Sequence, residues 1–220
     1  MSAGFPVPGH LVGDHHRDAA VVVAHEILGL TPHITRMKTA LEQFGVDVYT
    51  PQLTQGPARV FAPSDQEAAY AHFTRAGGVV AMAARLNAFG TSLRSRYRKV
   101  GAMGFSVGAT SGWIVASEGV FDAVVCFYGS RIRDYPELAP TCPCLLLFAE
   151  REPGFDPLDL AERLEEQESV TTRLYPCGHG FADMDNPNHD TVAADDALAT
   201  AKGFLRAVLL EGKVDDDVEP

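Results

Sequence analysis

A serine stands between two glycines in Gly104-Phe105-Ser106-Val107-Gly108, with an apolar strand-like stretch before it and a helix-like stretch after it. A nucleophilic serine on a sharp strand-to-helix turn needs small residues two before and two after it, because a side chain there would strike neighbouring backbone. The pattern alone is weak in a chain with 20 glycines, where it can equally let a helix pack closely on a sheet. Its setting adds weight: 99–103 reads as a short buried strand, and 107–118 as a helix closed by Gly119.

Serine is a poor nucleophile at its own pKa and needs a histidine to take its proton, and that histidine needs a carboxylate to fix its tautomer. His179, in Cys177-Gly178-His179-Gly180-Phe181, follows a predicted strand at 170–175, and its flanking glycines free it to reach a neighbouring strand's end. Other histidines have weaker settings: His15 and His16 lie in a polar turn, His33 and His72 fall in helices, and His189 precedes the last helix. For the acid, three carboxylates compete after the predicted strand 145–148. Glu152 lies in the strand-end loop where the acid is expected and is favoured. Asp156 precedes Pro157 in an N-cap arrangement, and Glu150 is close enough to the strand to point away. The order Ser106, Glu152, His179 is that of the α/β-hydrolase triad.

These residues need a scaffold, and strand and helix signals alternate along the chain. The run 20–24 is apolar throughout, as in a strand buried on both faces. Thr31-Pro32 fits a helix start, Ile34, Met37, Leu41 and Phe44 form one stripe, and Gly45 ends it. A strand at 46–50 follows, then a capping box Ser64-Asp65-Gln66-Glu67 opening a helix that Gly77-Gly78 breaks. Strands at 123–127, 145–148 and 170–175 and helices at 157–168 and 191–210 complete the pattern. The expected fold is α/β, an α/β-hydrolase with a three-layer, mainly parallel sheet and helices on both faces. One domain is expected over 1–210, with an acidic tail at 211–220.

Composition narrows the class. A chain of 220 residues, 46% hydrophobic, can bury one substantial core. The net charge of −11 argues against nucleic acid or anionic membrane as a partner. The first residues lack a cationic stretch leading into an apolar one, and no apolar run has the length of a membrane span, so a cytoplasmic location is expected. The four cysteines are too few and scattered for a disulfide framework, and Cys142-Pro143-Cys144 is not a usual zinc spacing. Asp183-Met184-Asp185 with His189 matches no established zinc or calcium pattern, so no metal and no cofactor are expected. The expected partner is a small-molecule substrate, acted on by a monomer or homodimer.

His25-Glu26-Ile27-Leu28-Gly29, the serine pentapeptide and Gly178-His179-Gly180-Phe181-Ala182 together resemble the dienelactone hydrolase family, in its order and approximate spacing, from about residue 17 to 210. In that family the nucleophile is typically cysteine, and a glutamate matching Glu26 pairs with it in the resting enzyme. Here serine replaces cysteine and the glutamate is kept. The resemblance implies an oxyanion hole from the backbone N–H groups of Ile27 and Val107. It implies an acid, usually aspartate, at the position that best matches Glu152. Two arginines that hold a substrate carboxylate match Gln66 and Asp183 here, and a site tyrosine matches Tyr70. The expected activity is hydrolysis of a small carboxylic ester or lactone through an acyl-serine. A thioesterase or other acyl hydrolase is the alternative on the same machinery, and a catalytically silent ligand-binding protein on the same fold is another. With Gln66 and Asp183 in place of fixed positive charge, a neutral or cationic substrate is expected, and Glu26 should lie within hydrogen-bond reach of the site.

Overall fold

A run of six residues with no exposed side chain, β1 (Ala19–Ala24), is the centre of the architecture. Its alternate residues feed two separate cores, as strand geometry demands. Ala20, Val22 and Ala24 pack with Phe73, Met82, Leu86 and Trp113 on one face. Ala19, Val21 and Val23 pack with Ile34, Leu41, Ala197 and Leu205 on the other. A strand covered on both sides has no polar face, so it reads as a continuous apolar run.

The computed structural model describes residues 17–211. After β1 come α1 (Pro32–Glu42), β2 (Asp47–Tyr49), α2 (Gln66–Arg75), α3 (Gly78–Leu93) and β3 (Lys99–Phe105). Then follow α4 (Val107–Ala116), β4 (Ala123–Phe127), β5 (Cys144–Arg151), α5 (Pro157–Glu165), β6 (Val170–Gly178) and α6 (Thr191–Leu209). The sheet order is β2-β1-β3-β4-β5-β6, and every pairing is parallel. Residues of α2 to α5 line one face of the open sheet and those of α1 and α6 line the other. Because all strands run the same way, all their carboxyl ends fall on one rim, where α/β sheets place ligands.

Several expected boundaries differ. The capping box at Ser64 does not form: Pro63–Asp65 makes a single 3-10 turn, the Ser64 hydroxyl meets Asp65 Oδ1 at 3.3 Å, and α2 starts at Gln66. Strand β2 is shorter than 46–50, and α4 and α5 stop short of 118 and 168. Strands β5 and β6 run past their apolar runs to Arg151 and Gly178. Near that end Ala149 pairs with Tyr175 but Arg151 pairs with Gly178, so β6 absorbs one extra residue in a bulge. The consequence is that Glu152 and His179 both follow directly after a paired position. The polar turn expected at His15-His16, and the acidic tail beyond residue 211, lie outside the described residues. No helix among the described residues is long and apolar enough to cross a membrane.

Candidate active site

The rim gathers residues that follow five strands: Glu26 after β1, Ser106 after β3, Tyr128 after β4, Glu152 after β5 and His179 after β6. Ser106 sits at the β3–α4 junction with φ 52° and ψ −114°, a conformation that costs a non-glycine residue about 1–3 kcal/mol. The surroundings enforce it. The Ser106 N–H donates to Phe127 O of the adjacent strand at 3.0 Å. A Cβ on Gly104 would lie 2.3 Å from Gly108 O, and one on Gly108 would lie 2.4 Å from Ala24 O. The two glycines therefore serve two close approaches, within the turn and between α4 and the end of β1.

His179 Nε2 lies 2.9 Å from Ser106 Oγ, and its Nδ1 lies 2.6 Å from Glu152 Oε1. With a carboxylate on Nδ1, that nitrogen carries the proton and Nε2 is left to accept from the serine hydroxyl. The Glu152 side chain is 4% exposed and that of His179 is 32% exposed. Burial pushes the imidazole down, but the hydrogen bond and charge of Glu152, with Glu26 adding, outweigh it and leave His179 above its ordinary value. The two competing carboxylates stand elsewhere. Asp156 Oδ1 accepts the Leu158 N–H at 2.9 Å as the N-cap of α5, and Glu150 is exposed.

Glu26 and Ile27 are carried by a turn closed by Gly29 N–H donating to Glu26 O at 3.1 Å. Buried His25 pins this turn in place: Leu53 N–H donates to its Nε2 at 3.1 Å, so Nδ1 is the protonated nitrogen and donates to Glu26 O at 2.7 Å. Burial lowers the His25 pKa, in keeping with a neutral ring of fixed tautomer. The sequence motif contains His25 without assigning it this anchoring role; its place directly after an apolar strand is the available signal. The turn's own hydrogen bond leaves the Ile27 N–H outside it, and Val107 at the first position of α4 has an N–H with no acceptor inside the helix. The Glu26 carboxylate accepts from Tyr128 Oη at 3.0 Å. Burial raises its pKa, outweighing the His179 charge and the Tyr128 bond, while Asp183 adds to the rise.

The three positions linked to substrate fall on two elements, Gln66 and Tyr70 on α2 and Asp183 in the loop after β6. Gln66 is exposed at the first turn of α2. Tyr70 is half exposed, and its hydroxyl accepts from Arg131 Nη1 at 3.2 Å, while Arg131 Nε donates to Asp134 at 3.0 Å. Asp183 is 5% exposed and Arg36 bridges it to Asp185, at 3.1 and 2.6 Å. Asp183 is thus met by a cation from α1, 147 residues away in sequence. A cavity of about 530 Å³ adjoins this place, lined by Leu28, Pro32, Val60, Phe61, Asp183 and Asp185 among others. Among the described residues no group of three or more histidines, cysteines and carboxylates is placed to hold a metal ion, and all four cysteines are buried free thiols.

An open parallel sheet with a serine elbow after β3 defines an α/β-hydrolase fold. More narrowly, the chain belongs to the dienelactone hydrolase family, whose profile matches residues 8–209. It is 35% identical over 173 residues to the uncharacterized protein YczH of Bacillus subtilis, covering 76% of this chain and 82% of that one. It is 26% identical to carboxymethylenebutenolidase 1 of Cupriavidus pinatubonensis over 90% of both chains. Among solved structures, a dienelactone hydrolase from Anabaena variabilis superposes with a TM-score of 0.62 at 20% identity, over 87% of each chain. A cold-adapted esterase from an Arctic intertidal metagenomic library superposes with a TM-score of 0.67 at 19% identity, over 89% of this chain and 85% of that one.

Proposed function

We propose that the protein hydrolyses a small carboxylic ester or lactone through an acyl-serine intermediate. The observation that carries this reading is the unbroken chain of Ser106 Oγ, His179 and Glu152, at 2.9 and 2.6 Å. Ser106 Oγ bonds to the substrate carbonyl carbon as its proton passes to His179 Nε2. The carbonyl oxygen takes the negative charge and is met by the N–H groups of Ile27 and Val107, donors that act where charge develops. Collapse expels the alkoxide, which takes the proton from His179. Water then attacks the acyl-serine with His179 as base, releasing the acid and restoring the serine. Glu152 holds the imidazole in the tautomer this needs and stabilises the imidazolium.

The substrate we propose is neutral or cationic at the end away from the reacting carbonyl. Of the three positions tied to substrate binding, Gln66 is uncharged, Asp183 has its charge taken by Arg36, and Arg131 beside Tyr70 is held by Asp134. None offers an uncommitted cation to a carboxylate, and burying a carboxylate unpaired is costly. The name of the Cupriavidus relative specifies a carboxylated butenolide, which should be a poor substrate here.

A fluorophosphonate probe tests the nucleophile: stoichiometric labelling that disappears in Ser106→Ala is expected, and an inert serine overturns the reading. A panel of short acyl esters and lactones tests the class, with kcat/KM compared for matched free-acid and methylated substrates. A clear preference for the free acid overturns the charge assignment.

A further inference from the structure

Only two non-glycine residues among those described have positive φ: Ser106 at 52° and Tyr128 at 40°. Strain of this kind persists where the surroundings over-determine a conformation, and it collects at functional sites. The two are neighbours, since the residue before Tyr128, Phe127, supplies the carbonyl that holds the Ser106 N–H. Tyr128 is itself fixed by its N–H on Leu147 O at 2.8 Å and is fully buried. Its ring stands edge-to-face against the His179 imidazole at 5.1 Å between centroids, and its hydroxyl reaches Glu26 at 3.0 Å. One side chain therefore touches both the proposed base and a half-buried carboxylate that no step of the proposed reaction uses.

We infer that Tyr128 is a positioning residue, whose ring seats His179 and whose hydroxyl holds the Glu26 carboxylate as a second anion facing that imidazole, behind Glu152. The inference deepens the hydrolase reading and rests on it for its meaning in catalysis, though not for its measurement. Burial and the neighbouring Glu26 charge hold the Tyr128 phenol well above its ordinary value, so it is a donor at every working pH. That bond favours the ionised form of Glu26, against burial, and the charge of Glu26 in turn favours the protonated form of His179. The groups facing this pair are few. Glu152 approaches His179 from the end of β5, and Asp183 acts on Glu26 and Tyr128 from the loop after β6, with Arg36 and His33 at its other side.

The test reads His179 directly, by following its imidazole resonances through a pH titration of the full chain, assigned with His179→Gln. Tyr128→Phe keeps the ring and removes the hydroxyl; Glu26→Gln keeps the shape and removes the charge. Each should lower the apparent pKa of His179 by about half a unit or more. The acid limb of kcat/KM should move to lower pH in step. In the double variant the shift should not exceed that of Glu26→Gln, because the hydroxyl acts through the carboxylate. An unmoved titration in Tyr128→Phe, or shifts that add, overturns the inference. Should Tyr128→Phe fail to fold, Glu26→Gln decides alone, and an unmoved His179 overturns it. A parent protein inert to the fluorophosphonate but showing the expected shifts removes the hydrolase reading and leaves this one standing.

Discussion

At the amino end of the sheet, between α4 and β4, the Asp122 carboxylate is crowded with donors: Arg94 Nη1 at 2.6 Å, Lys99 Nζ at 3.1 Å and Val100 N–H at 2.8 Å. Burial pushes this carboxyl up, but the Val100 N–H, Arg94 and Lys99 overcome it and hold it below its ordinary value. At the carboxyl end, Glu26 has one described donor, Tyr128, and burial wins. The two carboxylates lie on the same sheet and differ in what surrounds them. A charge met by three donors serves to tie elements together. One left short of partners has its ionised form destabilised, and such groups mark sites where protons move.

The contrast can be broken most sharply at the rim. Ser106→Ala and His179→Ala should each cut ester hydrolysis by on the order of a thousandfold or more, since such groups act as a unit. Glu152→Gln should cost most of that, whereas Asp156→Asn should leave turnover near the parent. An Asp156→Asn variant that is dead while Glu152→Gln stays active would reverse the choice of acid.

Stability measurements sharpen the comparison between the two ends. Asp122→Asn should cost about 1–2 kcal/mol at neutral pH through loss of charge-assisted hydrogen bonds. The folded pKa of Asp122 lies below its unfolded one, so its contribution is fully present above the unfolded value, about 3.9, and is lost as pH falls through the folded value. Urea denaturation of parent and variant should therefore begin to converge as pH falls below about 4. For Glu26 the sign reverses. Its folded pKa is raised, so its stabilising contribution is present below about pH 4 and is lost as pH rises through the folded value. Glu26→Gln should gain on the parent as pH climbs from 4 to 8, and Tm measured across that range checks it; a constant difference would show that Glu26 has the same pKa folded and unfolded. The smallest effect is that of Asp156→Asn on stability, about 1 kcal/mol or less from a weakened cap, read from the same denaturation curves.

Parts of this were legible in the chain itself. Strand β4 falls on 123–127 as expected, and Pro157 and Thr191 open α5 and α6, because apolar runs and helix-start residues act locally. The fold class followed from their alternation, and the serine turn from Gly104 and Gly108, where a Cβ would strike backbone. What escaped are matters of partner choice at long range. Spacing alone left three carboxylates open beside His179, and only the bulge in β6 shows why Glu152 stands level with it. Tyr128 and Glu26 are 102 residues apart, and Arg36 and Asp183 are 147 apart, so neither pair leaves a trace in local pattern. The Ser64 box failed for a local reason: Pro63 imposes a 3-10 turn, and the serine hydroxyl turns to Asp65.

The parallel edge strand β6 has one further bearing, on synthesis. A ribosome releases Ser106 first, Glu152 next and His179 last, and β6 pairs with the sheet through β5 alone. Until that strand docks, the serine has no base, and a serine without one is nearly inert. If the proposed mechanism holds, a growing or half-folded chain exposes no activated nucleophile to the acyl compounds around it, and reactivity switches on with the closing of the sheet's last edge.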